Sequence, residues 1–537
     1  MRHGLAALVS GILLFTSFPP LEWSPAAWVA LVPLLLVADR VSPAKAFHTG
    51  LITGLMFWWP SLAWLTRVSW PGWLLVGLYC ALYIAGFSMT VSWVLRSAER
   101  RGWLGTLGTL VVVPAIWVGF EYLRSMVFTG FPWNPLGVTQ AGMLPLIQCA
   151  EWGGVYAVSF LVIMVNVALF FALFPAWSQR SDAAGQLWSE ARSVRALWPL
   201  LATLVAIVLT WNCGVAAIRR ETGGPAGAPL RVVLVQLNIP QFEKFTEECW
   251  TAIEVRLRRI TAASINRYRP ELVVWPETAV PTFVRGVPST EKLIADLLTQ
   301  GVPLLVGTMD FEQAGDTFRY FNSSFLFDPE RGLIQTYAKR HLVCFGEYVP
   351  FSDVFPFLRR LTPIEESFTP GKEQTVFRLD TSPRAFSALI CFEDTMAGLA
   401  RMAVRAGARL LINQTNDAWF DPSWAPRQHM LQCIFRCVEN RVPAVRSTNT
   451  GITCFIDRTG RVTGILAPTR GRDPLPECLA QTVWLPGPEM PLTFYTKYGD
   501  LFAQACVGFA LLAIGAAALR LRTGRRQADE DIAAEPV

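Results

Sequence analysis

The sequence predicts a polytopic α-helical membrane domain of about eight spans that carries a separate α/β layered domain. Three observations predict it. The 537-residue chain is 52% hydrophobic and only 16% charged, with a mean hydropathy of +0.35; a soluble domain carries about 25% charged residues. Apolar segments recur near 4–19, 24–38, 48–66, 72–95, 103–122, 151–175, 196–217 and 500–520. Between the last two lies a stretch of different character, in which short apolar runs alternate with helical candidates.

Several of the apolar segments reach the roughly 20 residues that cross hydrocarbon. The first two are short or Pro-interrupted and suit a tight helical hairpin. No small-residue cleavage site follows the first, so a retained span is expected rather than a signal peptide. Loop charges orient the rest. With the N-terminus inside, the inner pieces carry Arg2; Arg40 and Lys45; Arg96, Arg100 and Arg101; Arg180, Arg192 and Arg195; and Arg520, Arg522, Arg525 and Arg526. The short outer loops carry only Arg67 and Arg124. Expected domains are therefore 1–217, a membrane domain; 218–495, an outer domain; and 496–537, a final span with a basic inner tail. In a Gram-negative cell this is an inner-membrane protein with its outer domain in the periplasm, a disulfide-permissive compartment.

The outer stretch is long enough for its own core. "TGGPAGAP" (222–229) reads as the linker into it. Buried strands are expected at 231–238, 271–277, 302–308, 321–328, 385–393, 408–416 and 451–457, and helices at 247–266, 290–300, 395–406 and 426–440. Strands alternating with helices indicate an α/β layered domain.

Composition excludes several functions. The net charge of +6 is small for this length, and no nucleic-acid module or long basic tract outside the tail is present. Only His3, His48, His341 and His429 occur, which argues against a His-rich zinc site; no metal and no cofactor are expected. There is no G-x-S-x-G, no P-loop and no G-x-G-x-x-G between a strand and a helix. The outer stretch holds Cys249, Cys344, Cys391, Cys433, Cys437, Cys454 and Cys478, an odd set, so at least one thiol stays free of intramolecular disulfides.

One of them stands out. In "SALICFED" (387–394) an apolar run delivers Cys391 directly against Glu393 and Asp394, which oppose thiolate formation. A cation offsets such neighbours. "VVWPETAVP" places Glu277 after a hydrophobic run on a Pro-fixed turn, and "YAKRHLVCFGEYVPF" places Lys339 with Glu347 eight residues on. Glu, Lys and Cys make a sufficient set for acyl transfer: a base takes the thiol proton, sulfur attacks a carbonyl, and an ammonium stabilises the oxyanion. Spacing alone does not bring the three together.

"WPETAVP", "YAKRHLVCFGEYVP", "ICFED" and "NQTNDAWFDPSWAPRQH", in that order, closely resemble the carbon–nitrogen hydrolase (nitrilase) superfamily, and specifically its membrane-embedded branch, the apolipoprotein N-acyltransferases. "EYLRSMVFTGFPWNPLG" (121–137) and "RSTNTGIT" (446–453) fit that branch as well. The resemblance covers essentially the whole chain. It implies a nitrilase-like αββα sandwich with a catalytic Glu277, Lys339 and Cys391, and with Glu347 and Glu393 in support. The chain departs from the pattern at Ala338, Cys344, Phe392 and Asp421, none of them in the triad.

The resemblance also implies a two-step reaction through a Cys391 thioester. The donor is the sn-1 chain of a phospholipid, typically phosphatidylethanolamine; the acceptor is the α-amine of a diacylglyceryl-cysteine apolipoprotein. Trp419 and Phe420, the segment 354–368, and Trp133 in "FPW" are candidates for contact with lipid chains. A monomer is expected. A membrane-tethered amidase using the same three residues is the alternative, and a receptor with an inactive hydrolase fold is a third reading.

Overall fold

The computed structural model describes residues 2–97, 103–178, 189–223, 227–241, 243–244, 247–350, 352, 367–379, 384–466 and 477–533. The chain divides into two units: Met1–Ala63, Trp73–Val215 and Asp500–Val537 form one, Trp64–Gly72 and Ala216–Gly499 the other.

All eight apolar segments contain helix in the first unit: Arg2–Thr16, Val32–Ala38, Pro43–Ser61, Trp70–Ser97, Trp103–Met126, Ala150–Ser178, Ser189–Gly223 and Leu501–Ala533. Five are long and apolar enough to cross a membrane: Trp70–Arg96, Thr106–Met126, Ala150–Leu173, Leu197–Gly223 and Leu501–Leu519. Arg2–Thr16 has 15 residues, about 22 Å of helix at 1.5 Å per residue. The second segment is broken into a 3₁₀ turn, Ser24–Trp28, and the short helix Val32–Ala38. Open backbone in a membrane needs partners. Here Asn166 Oδ1 accepts from Leu31 N at 2.8 Å, and Ser10 Oγ accepts from Leu34 N at 3.0 Å. The helix Pro43–Ser61 packs closely on Trp70–Ser97: a Cβ on Gly54 would lie 2.7 Å from Ala81 Cα, and one on Gly50 2.8 Å from Ala85 Cα. Small residues four apart give such close helix contact.

The second unit is an αββα sandwich. Its strands are β1 (Ala228–Gln236), β2 (Leu272–Val274), β3 (Leu304–Ala314), β4 (Thr317–Asp328), β5 (Gly332–Ala338), β6 (Phe377–Arg378), β7 (Ala385–Ile390), β8 (Leu411–Thr415), β9 (Ala444–Thr448), β10 (Thr453–Ile456), β11 (Val462–Leu466) and β12 (Glu477–Leu485). They form two six-stranded sheets, ordered β12-β1-β2-β3-β4-β5 and β11-β10-β9-β8-β7-β6. β1, β2 and β3 run parallel, as do β7, β8 and β9. Side-chain alternation along β1 explains the layers. Leu230, Val232 and Leu234 join Phe386, Ala388, Ile390, Ile412 and Val445 between the sheets. Val233 and Val235 face the other way, toward Ile253 and Leu257 of the helix Glu247–Tyr268 and Leu293 of Pro288–Leu298. The helices Ala397–Arg405 and Ala425–Asn440 belong to the second sheet's side.

The expected strands and helices are all present. The sequence reading missed β5, β6, β9, β11 and β12. Four of these are short or half-exposed. β9 is fully buried but reads "AVRST", with Arg446 in its middle.

Candidate active site

The three candidate residues sit at strand ends. β2 ends at Val274, and Trp275–Pro276 deliver Glu277. The turn is tight: Thr278 has φ 46°, and a Cβ on Gly307 would stand 2.2 Å from Pro276 O, so glycine is required there. Lys339 follows β5 directly, and Cys391 follows β7. Cys391 opens a 3₁₀ turn at φ 52°. A side chain bearing Cβ holds that left-handed conformation only where its surroundings fix it.

Lys339, Glu277 and Glu347 meet in a buried cluster. Lys339 Nζ donates to Glu347 Oε1 at 2.8 Å and reaches Glu277 Oε1 at 3.5 Å. Asn322 Nδ2, from β4, donates to both carboxylates, at 2.8 Å to Glu277 and 2.9 Å to Glu347. Glu347 Oε2 accepts from Val343 N at 2.9 Å. Burial alone would push the Lys339 ammonium down, but Glu347 and Glu277 more than reverse this and hold it above its ordinary range. For the half-buried Cys391 the balance runs the other way. Desolvation and the Glu277 carboxylate push its thiol well up, and Lys339 opposes them only in part. The resting sulfur is therefore a thiol with a carboxylate near it, which suits proton transfer to Glu277 at the moment of attack.

The two carboxylates after Cys391 are spent elsewhere. Glu393 Oε1 accepts from Arg340 N at 2.7 Å and His341 N at 3.0 Å; Oε2 accepts from Ile390 N at 2.8 Å and from Tyr337 OH at 2.9 Å. Burial still raises the Glu393 carboxyl, against these donors. It thus ties the residues flanking Lys339 to the residue before Cys391. Asp394 bonds to His429 and Arg446.

The remaining candidates are placed as follows. Trp419 is exposed at a 3₁₀ turn, Asp417–Phe420, after β8. Phe420 is half-buried, edge-on to Trp64 with ring centroids 4.5 Å apart. Trp133 is buried in the first unit, where its carbonyl accepts from Arg124 Nη1 at 2.6 Å. A cavity of about 30 Å³ in that unit is lined by residues including Phe18, Phe57, Phe87, Glu121 and Arg124. Residues 354–366 of the segment 354–368 lie outside the described residues. Among the described residues no cysteine is in a disulfide.

Sequence reasoning missed Asn322, Tyr337, Asp417, His429, Arg446 and Lys244. Lys244 is buried and donates to Glu277 O at 3.2 Å. Desolvation lowers its ammonium to about 8, against the pull of Glu277. Asp417 and His429 lie inside the long motif 413–429, where the string was recognised as a whole rather than residue by residue. Among the described residues no cluster of His, Cys, Asp and Glu has the makings of a metal site.

Comparison with known proteins bears on both units. A family model described as apolipoprotein N-acyltransferase N-terminal domain matches residues 10–168, and one described as carbon-nitrogen hydrolase matches 231–471. A protein of Geobacter metallireducens named apolipoprotein N-acyltransferase is 38% identical, covering 98% of this chain and 97% of its own. One of the same name from Chlorobaculum tepidum is 30% identical, covering 96% of each. Among solved structures, Saccharomyces cerevisiae Nit3, of the nitrilase superfamily, is 20% identical over 52% of this chain and 95% of its own, with a TM-score of 0.36.

Proposed function

The chain belongs to the apolipoprotein N-acyltransferase family, and from that premise we propose how it works. It is a membrane-embedded acyltransferase of the carbon–nitrogen hydrolase superfamily that acts on lipoproteins. The finer reading is a ping-pong transfer through Cys391.

In the first half-reaction Glu277 takes the Cys391 proton and the sulfur adds to the sn-1 ester carbonyl of a phospholipid such as phosphatidylethanolamine. Lys339 stabilises the resulting oxyanion. Collapse breaks the ester C–O bond, and the departing lysophospholipid oxygen takes the proton from Glu277. A thioester remains on Cys391. In the second, the neutral α-amine of a diacylglyceryl-cysteine adds to the thioester while Glu277 takes a proton from nitrogen. The C–S bond breaks, the sulfur recovers that proton, and the triacylated lipoprotein leaves. Glu347 holds Lys339, and Glu393 ties the Lys339 segment to the elbow.

The observation that carries this reading is the Lys339 ammonium shared between Glu347 and Glu277, with Glu277 and Lys339 both acting on the Cys391 thiol. The membrane unit has a physical purpose in it. Each methylene drawn from hydrocarbon into water costs about 0.8 kcal/mol, so both acyl substrates are best met at the bilayer. Trp419 is the exposed residue proposed to meet lipid chains; Phe420 and Trp133 would act from packed positions. The loop charges favour a catalytic unit on the periplasmic side of an inner membrane. One chain holds every residue used, so a monomer suffices.

The test is a transfer assay with phosphatidylethanolamine labelled in its sn-1 chain and a diacylglyceryl lipopeptide. Label on the peptide amine, with lysophospholipid released, supports the reading. Label in free fatty acid alone, with the peptide unchanged, contradicts it.

A further inference from the structure

Behind the Cys391 elbow lies a second charge cluster that the steps above do not use. Asp394 comes from the elbow, Asp417 from the turn after β8, Arg446 from β9 and His429 from the helix Ala425–Asn440; all four are buried. His429 Nε2 lies 2.8 Å from Asp394 Oδ1, and its Nδ1 lies 3.1 Å from Asp417 Oδ1. An ionised carboxylate only accepts hydrogen bonds, so both ring nitrogens must donate and His429 is an imidazolium. Arg446 Nη1 bonds to Asp394 Oδ2, and its Nη2 lies 3.9 Å from Asp417 Oδ2. Two cations and two anions thus balance within the protein, as buried charge requires. Arg436 stands beside them, donating to Thr395 O at 2.9 Å and pairing with Glu439 at 2.7 Å. The buried thiols of Cys433 and Cys454 complete the surroundings.

The cluster meets the nucleophile twice. His429 Nε2 lies 3.3 Å from Cys391 O, which also accepts from Asn413 Nδ2 at 2.9 Å. These contacts hold the carbonyl of a residue at φ 52°. Through space, the Asp417 charge opposes ionisation of the Cys391 thiol.

We propose that His429 is a charged positioning residue for acyl transfer: its imidazolium pins the Cys391 carbonyl and neutralises Asp417, so that the sulfur ionises when substrate arrives. This rests on the reading of Cys391 as the nucleophile. It does not make His429 a base, since both of its nitrogens are committed to carboxylates.

The test is the rate at which iodoacetamide alkylates Cys391 as a function of pH, in purified full-length protein in micelles, read by mass on the Cys391 peptide. His429→Gln removes the charge and keeps the approximate shape. The expected result is a midpoint raised by about one pH unit, or roughly tenfold slower alkylation at a fixed pH below it. Adding Asp417→Asn removes the uncompensated charge and should return most of that loss. Equal midpoints in the parent protein and His429→Gln overturn the proposal, as does a double variant no faster than the single one. Should His429→Gln not fold, Asp417→Asn alone decides: its midpoint must fall, and an unchanged midpoint overturns the proposal. Failure of the nucleophile reading looks different: the parent protein forms no acyl adduct on Cys391 with phospholipid, whatever the alkylation rates.

Discussion

Cys391 stands between two charge clusters built on opposite plans. In front, Lys339 is shared between two carboxylates, Glu347 at 2.8 Å and Glu277 at 3.5 Å, and Lys244 donates to the Glu277 carbonyl. Behind, His429 and Arg446 match Asp394 and Asp417 charge for charge. The front cluster keeps acceptor capacity to spare, which a group that must take a proton needs. Behind, Asp394 accepts at both oxygens, and Asp417 Oδ2 has only the 3.9 Å ion pair with Arg446; with both His429 nitrogens committed to carboxylates, this cluster suits holding rather than proton transfer. The two clusters thus differ in pairing: Lys339 is shared between two carboxylates in front, whereas each carboxylate behind meets both His429 and Arg446.

Substitutions sharpen this difference. The largest effect belongs to Glu277→Gln. Glutamine keeps an acceptor for Asn322 but takes no proton, so acyl loading should fall roughly 10²- to 10⁴-fold with the fold intact, by single-turnover mass measurement and thermal unfolding. Lys339→Met comes next. It removes the oxyanion partner, about 10²- to 10³-fold in rate, and strands two buried carboxylates, about 3–5 kcal/mol in unfolding free energy. A stable, active Lys339→Met protein would erase the contrast between front and back.

pH separates the clusters by the window in which their cations titrate. Burial pushes His429 down, but Asp394 outweighs it and raises the imidazole to about 9. A raised folded pKa gives stability that is fully present below the ordinary value near 6.5 and is lost as pH rises through about 9. The second unit should lose on the order of 2 kcal/mol between pH 7 and pH 9.5, and His429→Gln should flatten that slope in thermal scans. Lys339, held above its ordinary range, stays charged throughout.

Glu393→Gln should cost about 1–3 kcal/mol, because a single amide oxygen cannot serve the donors of Arg340, His341, Ile390 and Tyr337. Acyl loading should slow with it. A lower Tm with unchanged loading would show that the tie does not reach Lys339. Least affected is Phe420→Ala, outside both clusters, at about 1 kcal/mol for the lost ring contact with Trp64.

Glu277 and Cys391 were legible because each ends a hydrophobic run, where a polar residue is conspicuous; Lys339 was legible through the family resemblance of its motif, which also joined the three. The back cluster was not. Arg446 lies inside the five-residue strand β9 and His429 on a helix buried from end to end, so nothing in spacing sets them apart. Asn322 hides for the same reason in β4. The central strands were legible as continuous apolar runs, being covered on both faces. β5, β11 and β12 were not, being half-exposed with mixed composition. In the membrane unit, apolar length predicted helices. It also showed that the first two segments are short or Pro-interrupted, but not the polar side chains, Asn166 and Ser10, that close the open backbone of the second.

The central claim is that Cys391 carries the acyl chain between donor and acceptor. The direct measurement is the intact mass of the full-length protein after incubation with phosphatidylethanolamine and no acceptor. The account predicts a fatty-acyl increment on the parent protein, removed by hydroxylamine and absent from Cys391→Ala. An unmodified parent protein that instead releases ammonia from a small amide would contradict it and leave a tethered amidase.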